Sequence, residues 1–335
     1  MLVFLYYSFR GTDFNALWSI LLKANYWWVV ALLPCLVLSH AVRAWRWDYM
    51  MKPLKKDIKY RNLFSALMIG YMMNNVLPKV GEVVRPYAIG KLEGVSRSAA
   101  FGSVMVERIF DVISFMFTIF VIPLVYSGPL LKTFPWLEEA SIWITVVTLA
   151  MLGVSVFLML RRDVVVRILK FFTKYVSEKN AKRVEDITHS FLDGFLFLKD
   201  TQSYFMIFAL SIVVWGLYVL MMYLPFYAFN MTQTYSLGWG AAWVVQAISS
   251  IGIIIPTPGA TGPYHYFVIE TLTKLYNVDD DIARSYAAAT HAIAVIGITA
   301  IGLYYFVKDK IHIADAHKET GIESRVLEYS TTDQH

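Results

Sequence analysis

Two apolar stretches far apart in this chain break in the same way and then turn back. The first reads Gly70-Tyr-Met-Met-Asn-Asn-Val-Leu-Pro-Lys-Val-Gly-Glu-Val-Val-Arg85, and the second Ile251-Gly-Ile-Ile-Ile-Pro-Thr-Pro-Gly-Ala-Thr-Gly-Pro-Tyr-His265. Aligned on Leu77-Pro78-x-x-Gly81 and Ile255-Pro256-x-x-Gly259, they share a breaker pattern. In a membrane protein, paired interrupted hydrophobic segments in corresponding positions of two halves point to a transport site. A carrier is therefore the leading expectation.

The membrane follows from composition. Apolar and aromatic residues make up 57% of the chain and charged residues only 16%, and several uncharged runs approach the ~20 residues that a bilayer-spanning helix needs. The longest polar stretch, residues 161–200, is too short for a separate soluble catalytic domain. One membrane domain over residues 1–308 with a polar cytoplasmic tail at 309–335 is the economical reading. The lone Cys35 sits in an apolar run, which excludes a disulfide framework and a thiol cluster for a metal. The formal net charge of +5 reads as the cytoplasmic-loop bias of a membrane protein, because Lys and Arg cluster between apolar spans; no nucleic-acid partner is expected. Residues 1–9 are apolar but about half a span long, so the first helix is expected either to be a half-span packed on its neighbours or, the favoured reading, to continue a chain that starts upstream.

Full spans are expected at 26–45, 103–126, 142–160, 204–229 and 283–307, preceded by a short interfacial helix at 12–24 with Asp13 as its cap. The two interrupted segments, 62–91 and 237–275, are left over. Lys and Arg accumulate on cytoplasmic loops. They fill 48–61, flank the first segment at Lys91 and Arg97, and populate 161–200. By contrast, 127–140 and the Asp279-Asp280-Asp281 run read as external. The first segment thus enters and leaves by the cytoplasmic face, and the second by the external face. The expected fold is an all-α polytopic membrane protein, an inverted repeat with two re-entrant helical hairpins plus five to six full spans, the hairpin tips meeting near the midplane. Residues 161–200 should form one or two cytoplasmic amphipathic helices, with Val164, Ile168, Phe171, Phe172 and Tyr175 at helical spacing, either lying on anionic lipid or serving as a solvated connector.

Ionisable groups inside apolar runs need a partner, a water-filled cavity or a task. At the first tip lie Asn74, Asn75, Lys79, Glu82 and Arg85 around the breaks Pro78 and Gly81. A helix restarting near Gly81 would point backbone N–H groups and a positive dipole end into the cavity and offer a phosphate a seat. Alternatively, Glu82 and Arg85 neutralise each other at i,i+3. A second cluster is Glu107, Arg108 and Asp111, set by helical spacing either to brace the hairpin or to touch substrate. The second tip offers Thr257, Thr261, Tyr264 and His265 around Pro256, Pro258, Gly259 and Gly262. His291 in the last span is either a proton-coupling group or a packing residue, and His40 reads as packing.

These residues carry a resemblance. Asn74-Asn75-x-Leu77-Pro78-x-x-Gly81-Glu82-x-x-Arg85, then Ser98 and Val106-Glu107-Arg108-x-x-Asp111, resemble the signature of the lysyl-phosphatidylglycerol synthase transmembrane family, and Pro258-Gly259-x-x-Gly262 is similar to its second motif. That family includes the flippase half of the bacterial multiple peptide resistance factor and standalone flippase-like proteins. The resemblance spans nearly the whole chain and implies movement of a phospholipid or lipid-linked headgroup, anionic or zwitterionic, between leaflets of the cytoplasmic membrane. Two departures bear on selectivity: the usual Gly-Gly pair is Gly259-Ala260, and His265 stands where an acid is common. The aminoacyl-transfer domain of the synthase is not found in this sequence, so no synthesis of lysyl-lipid is expected.

Two other readings compete. Ser96-Arg97-Ser98 resembles a stretch of polyprenyl-diphosphate phosphatases, yet no neighbouring His or paired-glutamate motif supplies a general base. A lipid-presenting subunit would dock a glycosyltransferase or synthase partner through residues 161–199. With no phosphate-binding nucleotide loop, no cofactor is expected and ATP is not a direct driver.

Overall fold

The computed structural model describes residues 1–173, 177–199 and 201–311. The expected tail from residue 312 onward, and Tyr175 of the amphipathic stretch, lie outside the described residues. Every regular element among the described residues is helical.

The chain opens with α1 (Leu2–Phe9) and α2 (Phe14–Lys23). Asp13 caps α2, its Oδ1 accepting from the N–H groups of Asn15 and Ala16 at 2.9 and 3.3 Å, a standard way of satisfying otherwise orphaned N-terminal donors. The short α3 (Tyr26–Val30) leads into α4 (Leu32–Met51). Then come α5 (Tyr60–Val76), α6 (Gly81–Glu93), α7 (Arg97–Val125), the single turn α8 (Leu130–Thr133) and α9 (Trp136–Leu160). The amphipathic stretch is two helices, α10 (Arg162–Thr173) and α11 (Glu178–Asp193). The second half contains α12 (Thr201–Ala228), the turn α13 (Met231–Thr234), α14 (Trp239–Ile254), α15 (Pro263–Tyr276) and α16 (Asp280–Lys308).

Five segments are long and apolar enough to cross a bilayer: Tyr26–Met51, Arg97–Val125, Trp136–Leu158, Ser203–Ala228 and Asp280–Lys308. They match the expected spans. The first runs six residues further than expected, carrying Arg46 and Trp47 into the interior, where both are fully buried. Phe120, Leu124 and Phe205 are more than 70% exposed, an arrangement suited to lipid as the surrounding solvent. The chain is a multi-pass membrane protein.

The two interrupted segments are helical pairs. In the first, α5 and α6 lie side by side. Gly81 is required there by proximity, because a Cβ on it would stand 2.0 Å from the carbonyl oxygen of Gly70. The left-handed residue of the turn is Lys79, at φ 65°. The open ends of this pair are tied through Glu93, which accepts from Lys55 Nζ (2.7 Å), Asn62 Nδ2 (2.7 Å) and the Lys59 N–H (3.1 Å). Burial alone would push the Glu93 carboxyl up, but these donors outweigh it and hold the group below its usual range. In the second pair, residues 255–262 join α14 to α15 through three residues of positive φ, Gly259, Ala260 and Gly262, and Pro263 opens α15 where its missing N–H is harmless.

α16 measures the two pairs against each other. Its 29 residues span roughly 43 Å. Just beyond its C-terminal end, Asp309 accepts from Arg61 and Ser65, and the Lys310 carbonyl accepts from Lys91, so the open ends of α5–α6 sit there. Just before its N-terminal end, the Asp279 N–H donates to Tyr235, which precedes α14, so the open ends of α14–α15 sit at the opposite end. Both turns reach its middle. Asn75 Nδ2 donates to Thr299 Oγ1 (3.0 Å), and His291 Nε2 donates to the Gly259 carbonyl (2.9 Å).

Candidate functional site

Where the two turns meet α16, the helices enclose a cavity of about 410 Å³. Its walls come from α4, α5, α7, α12, α14, α15 and α16 together with both turns, and they are mostly apolar, with Leu36, Phe115 and Ile254 typical.

The polar wall is built around four arginines and three carboxylates. Arg43 and Arg46 lie one turn apart on α4, and Glu107 and Asp111 one turn apart on α7, so each pair shares a helix face. Arg43 Nη2 reaches Glu107 Oε1 and Asp111 Oδ2, each at 2.7 Å. Arg46 Nη2 reaches the same two carboxylates at 3.1 and 2.5 Å, and its Nη1 donates to Ser211 on α12. Arg85 Nη1 stands 2.6 Å from Glu107 Oε2, with its guanidinium 3.7 Å from the centre of the Trp47 ring, a cation–π contact that holds the charge in an apolar setting. Arg108 is more loosely held, at 3.3 Å from Asp111, 3.6 Å from Glu107 and 3.6 Å from Glu82. Its side chain is 30% exposed, against 5% or less for the other three.

The ion pairs therefore run between elements. Glu82 pairs with Arg108 and Arg85 with Glu107, which answers the expectation that Glu82 and Arg85 neutralise each other. Braced this way, the α5–α6 pair is bolted to α7, and α7 to α4. Buried carboxylates of this kind need every guanidinium they have, since an unpaired charge in such surroundings is strongly unfavourable.

Among the residues singled out from sequence, Asn74, Asn75, Pro78, Lys79, Arg108, Asp111, Pro256, Thr257, Gly259 and Tyr264 line the cavity. Glu82, Arg85, Glu107, Thr261, His265, Gly81, Pro258 and Gly262 do not. Arg85 and Glu107 lie behind the wall and hold it in place. His265 lies behind His291 of α16, with ring centres 4.5 Å apart, and against Phe9 of α1 at 5.6 Å, and its Nδ1 accepts from the Gly262 N–H. Tyr264 meets Thr290 of α16 at 2.9 Å. The expected crown of backbone donors at Gly81 is also absent: that N–H donates to Asn74 Oδ1 at 2.8 Å. Positive charge in the cavity comes from side chains, chiefly Arg43, Arg108 and Lys79.

Sequence reasoning passed over Arg43, Arg46, Tyr218 and Trp215, and reads Trp47 as part of an interfacial aromatic belt, whereas it is fully buried. The signal for the first two was present, because two arginines at i,i+3 inside an apolar run demand partners. Ser96 caps α7, its Oγ accepting from Ala99, while the Arg97 guanidinium lies 4.8 Å from the centre of the Tyr87 ring; neither Ser96 nor Arg97 lines the cavity.

Comparison with known proteins follows from this geometry. The chain is 24% identical over 297 residues to a UPF0104 membrane protein of Methanocaldococcus jannaschii, covering 85% of each chain. It is 26% identical over 230 residues to a UPF0104 membrane protein of Methanothermobacter thermautotrophicus, covering 65% of this chain and 66% of that one. No solved structure matches it. The family model described as the lysylphosphatidylglycerol synthase TM region matches residues 1–302, and the chain belongs to that family.

Proposed function

We propose that this protein moves a phospholipid or lipid-linked headgroup, anionic or zwitterionic, between the leaflets of the cytoplasmic membrane, acting as a carrier and not as an enzyme. The observation that supports the reading most is the central cavity itself. It is apolar over most of its wall, polar on one side, and placed midway along α16 where two oppositely directed helical pairs meet. A headgroup entering from either side would find donors and positive charge at the centre, while its acyl chains stay in the bilayer.

In this reading α5–α6 and α14–α15 are re-entrant hairpins of an inverted repeat. The basic loops that follow α4 and α9 lie in the cytoplasm, together with the C-terminus, and the Asp279 run lies outside. Rocking of the two halves about the cavity would expose it alternately to each leaflet. A synthase or glycosyltransferase partner would supply or consume the lipid.

The test is protein reconstituted in vesicles with a labelled phospholipid and an external quencher. The protein should accelerate exposure of the label over empty vesicles. Arg108→Gln, which removes a partly exposed charge without touching the buried pairs of Arg43, Arg46 and Arg85, should slow transport by roughly 10- to 100-fold, as expected for losing a charge-assisted contact. If no lipid moves faster than in empty vesicles while phosphate is released from a lipid diphosphate, the protein is a hydrolase and this reading is wrong.

A further inference from the structure

The cavity wall carries more hydrogen-bond donors than it satisfies, and more positive than negative charge. Of the network, Arg43, Arg108 and Asp111 line the cavity, which leaves one positive charge over on the wall. Lys79, lining the cavity, adds a second. Asp111 is the one carboxylate among the lining residues, and both its oxygens already accept from guanidiniums, at 2.7 and 2.5 Å.

The buried polar atoms on this wall without a hydrogen-bond partner among the described residues point the same way. They include the Nε–H group of Arg43, the indole N–H of Trp215, the hydroxyl of Thr257, and both ring nitrogens of His40, a residue only 4% exposed. Arginine and tryptophan can only donate, and histidine and threonine each bring a donor as well. All four residues line the cavity. Leaving buried donors unmet is unfavourable, so the ligand that suits this wall is rich in acceptors. The remaining acceptors on the wall are neutral amide and hydroxyl oxygens, which do not supply the charge that an ammonium needs.

We infer that the cavity selects a phosphate monoester, a group carrying nearly two negative charges and three acceptor oxygens, and discriminates against headgroups that carry an ammonium, including the aminoacylated lipid for which the family is named. The inference rests on the transport reading of the same cavity and narrows its substrate class. The phosphate seat itself would serve a lipid headgroup or a free phosphate ester, and the two are separable by experiment.

The test uses full-length protein in vesicles with three labelled lipids of identical acyl chains, ending in a phosphate monoester, in phosphoethanolamine, and in lysyl-phosphatidylglycerol. The monoester lipid should move at least about tenfold faster than either amine-bearing lipid. Trp215→Phe keeps the ring and removes the donor, and should lower the monoester rate several-fold and narrow its lead over the amine-bearing lipids. Val112→Asp places a carboxylate on the same wall and should shrink the preference. Equal rates for all three lipids, or a faster amine-bearing lipid, would overturn the inference and leave lipid transport standing. Uptake of radiolabelled inorganic phosphate with no lipid moving would overturn the lipid reading and keep the phosphate seat. No movement of any of the four probes would overturn both.

Discussion

Removing the charge of Glu107 should be more damaging than removing it together with one of its partners. The Glu107 side chain is completely buried and lies within 3.1 Å of Arg43, Arg46 and Arg85. In Glu107→Gln the shape is kept, but Arg43 and Arg46 keep only Asp111 and Arg85 loses its carboxylate partner. Breaking a buried pair from one side costs about 3–5 kcal/mol, roughly a fifth or more of a total stability on the order of 5–15 kcal/mol. Unfolding in detergent should therefore shift down by roughly 5 °C, and the yield of monodisperse protein should fall. Arg85→Met removes a cation while keeping an apolar chain over Trp47, where sulfur packs well on an aromatic face. Combined with Glu107→Gln it restores the balance of charge, and the double variant should regain about 1–3 kcal/mol over Glu107→Gln alone, the coupling expected of contacting residues. The measurement is a double-mutant cycle of thermal unfolding. If the two single losses simply add in the double variant, the groups do not act as one network and the reasoning fails.

Gly81→Ala should destabilise by about 3 kcal/mol, more than Gly70→Ala, because a Cβ at Gly81 meets backbone at 2.0 Å whereas one at Gly70 finds its nearest neighbours at 3.0–3.1 Å; comparing unfolding temperatures of the two variants ranks them. Lys79→Gly should stabilise the protein by about 1 kcal/mol, since glycine accepts the left-handed conformation that lysine resists, and should still slow movement of anionic lipid, so stability and transport are expected to diverge. Because Glu93 is held below its usual range when folded, it contributes stability that is fully present above about pH 4.3 and is lost as pH falls through the lowered value. Unfolding temperature should drop as pH falls from about 5 to about 3 in the wild type, and Glu93→Gln should flatten that slope.

Spans were legible because a bilayer helix is written as a run of apolar residues, and the Pro-x-x-Gly breaks because turns need residues of special backbone behaviour. The role of each breaker was less legible. Gly81 looks like a conformational glycine in sequence, yet the left-handed residue is Lys79, and Gly81 is small so that Gly70 can approach. Similarly, Arg85 reads as a cavity charge from its place in the motif, while packing on Trp47 takes it behind the wall. Helical spacing alone placed Glu107 and Asp111 on one face, but naming their partners on α4 required knowing which helix lies opposite. Tertiary pairing across 61 to 68 residues leaves no periodic trace in a single sequence.

The attachment of both turns to α16 sets a rotational constraint. Asn75 fastens one turn at Thr299 and His291 fastens the other at Gly259, positions eight residues apart on one helix. An α-helix advances about 1.5 Å and about 100° per residue, so the anchors stand roughly 12 Å apart along the axis and roughly 80° apart around it, after two full turns. A rotation of α16 about its own axis swings both anchors through the same angle, one turn of chain being pulled as the other is pushed. The helix thus gears the two halves together, and losing a single residue between 291 and 299 would put the two anchors, and with them the two ends of α16, about 100° out of phase.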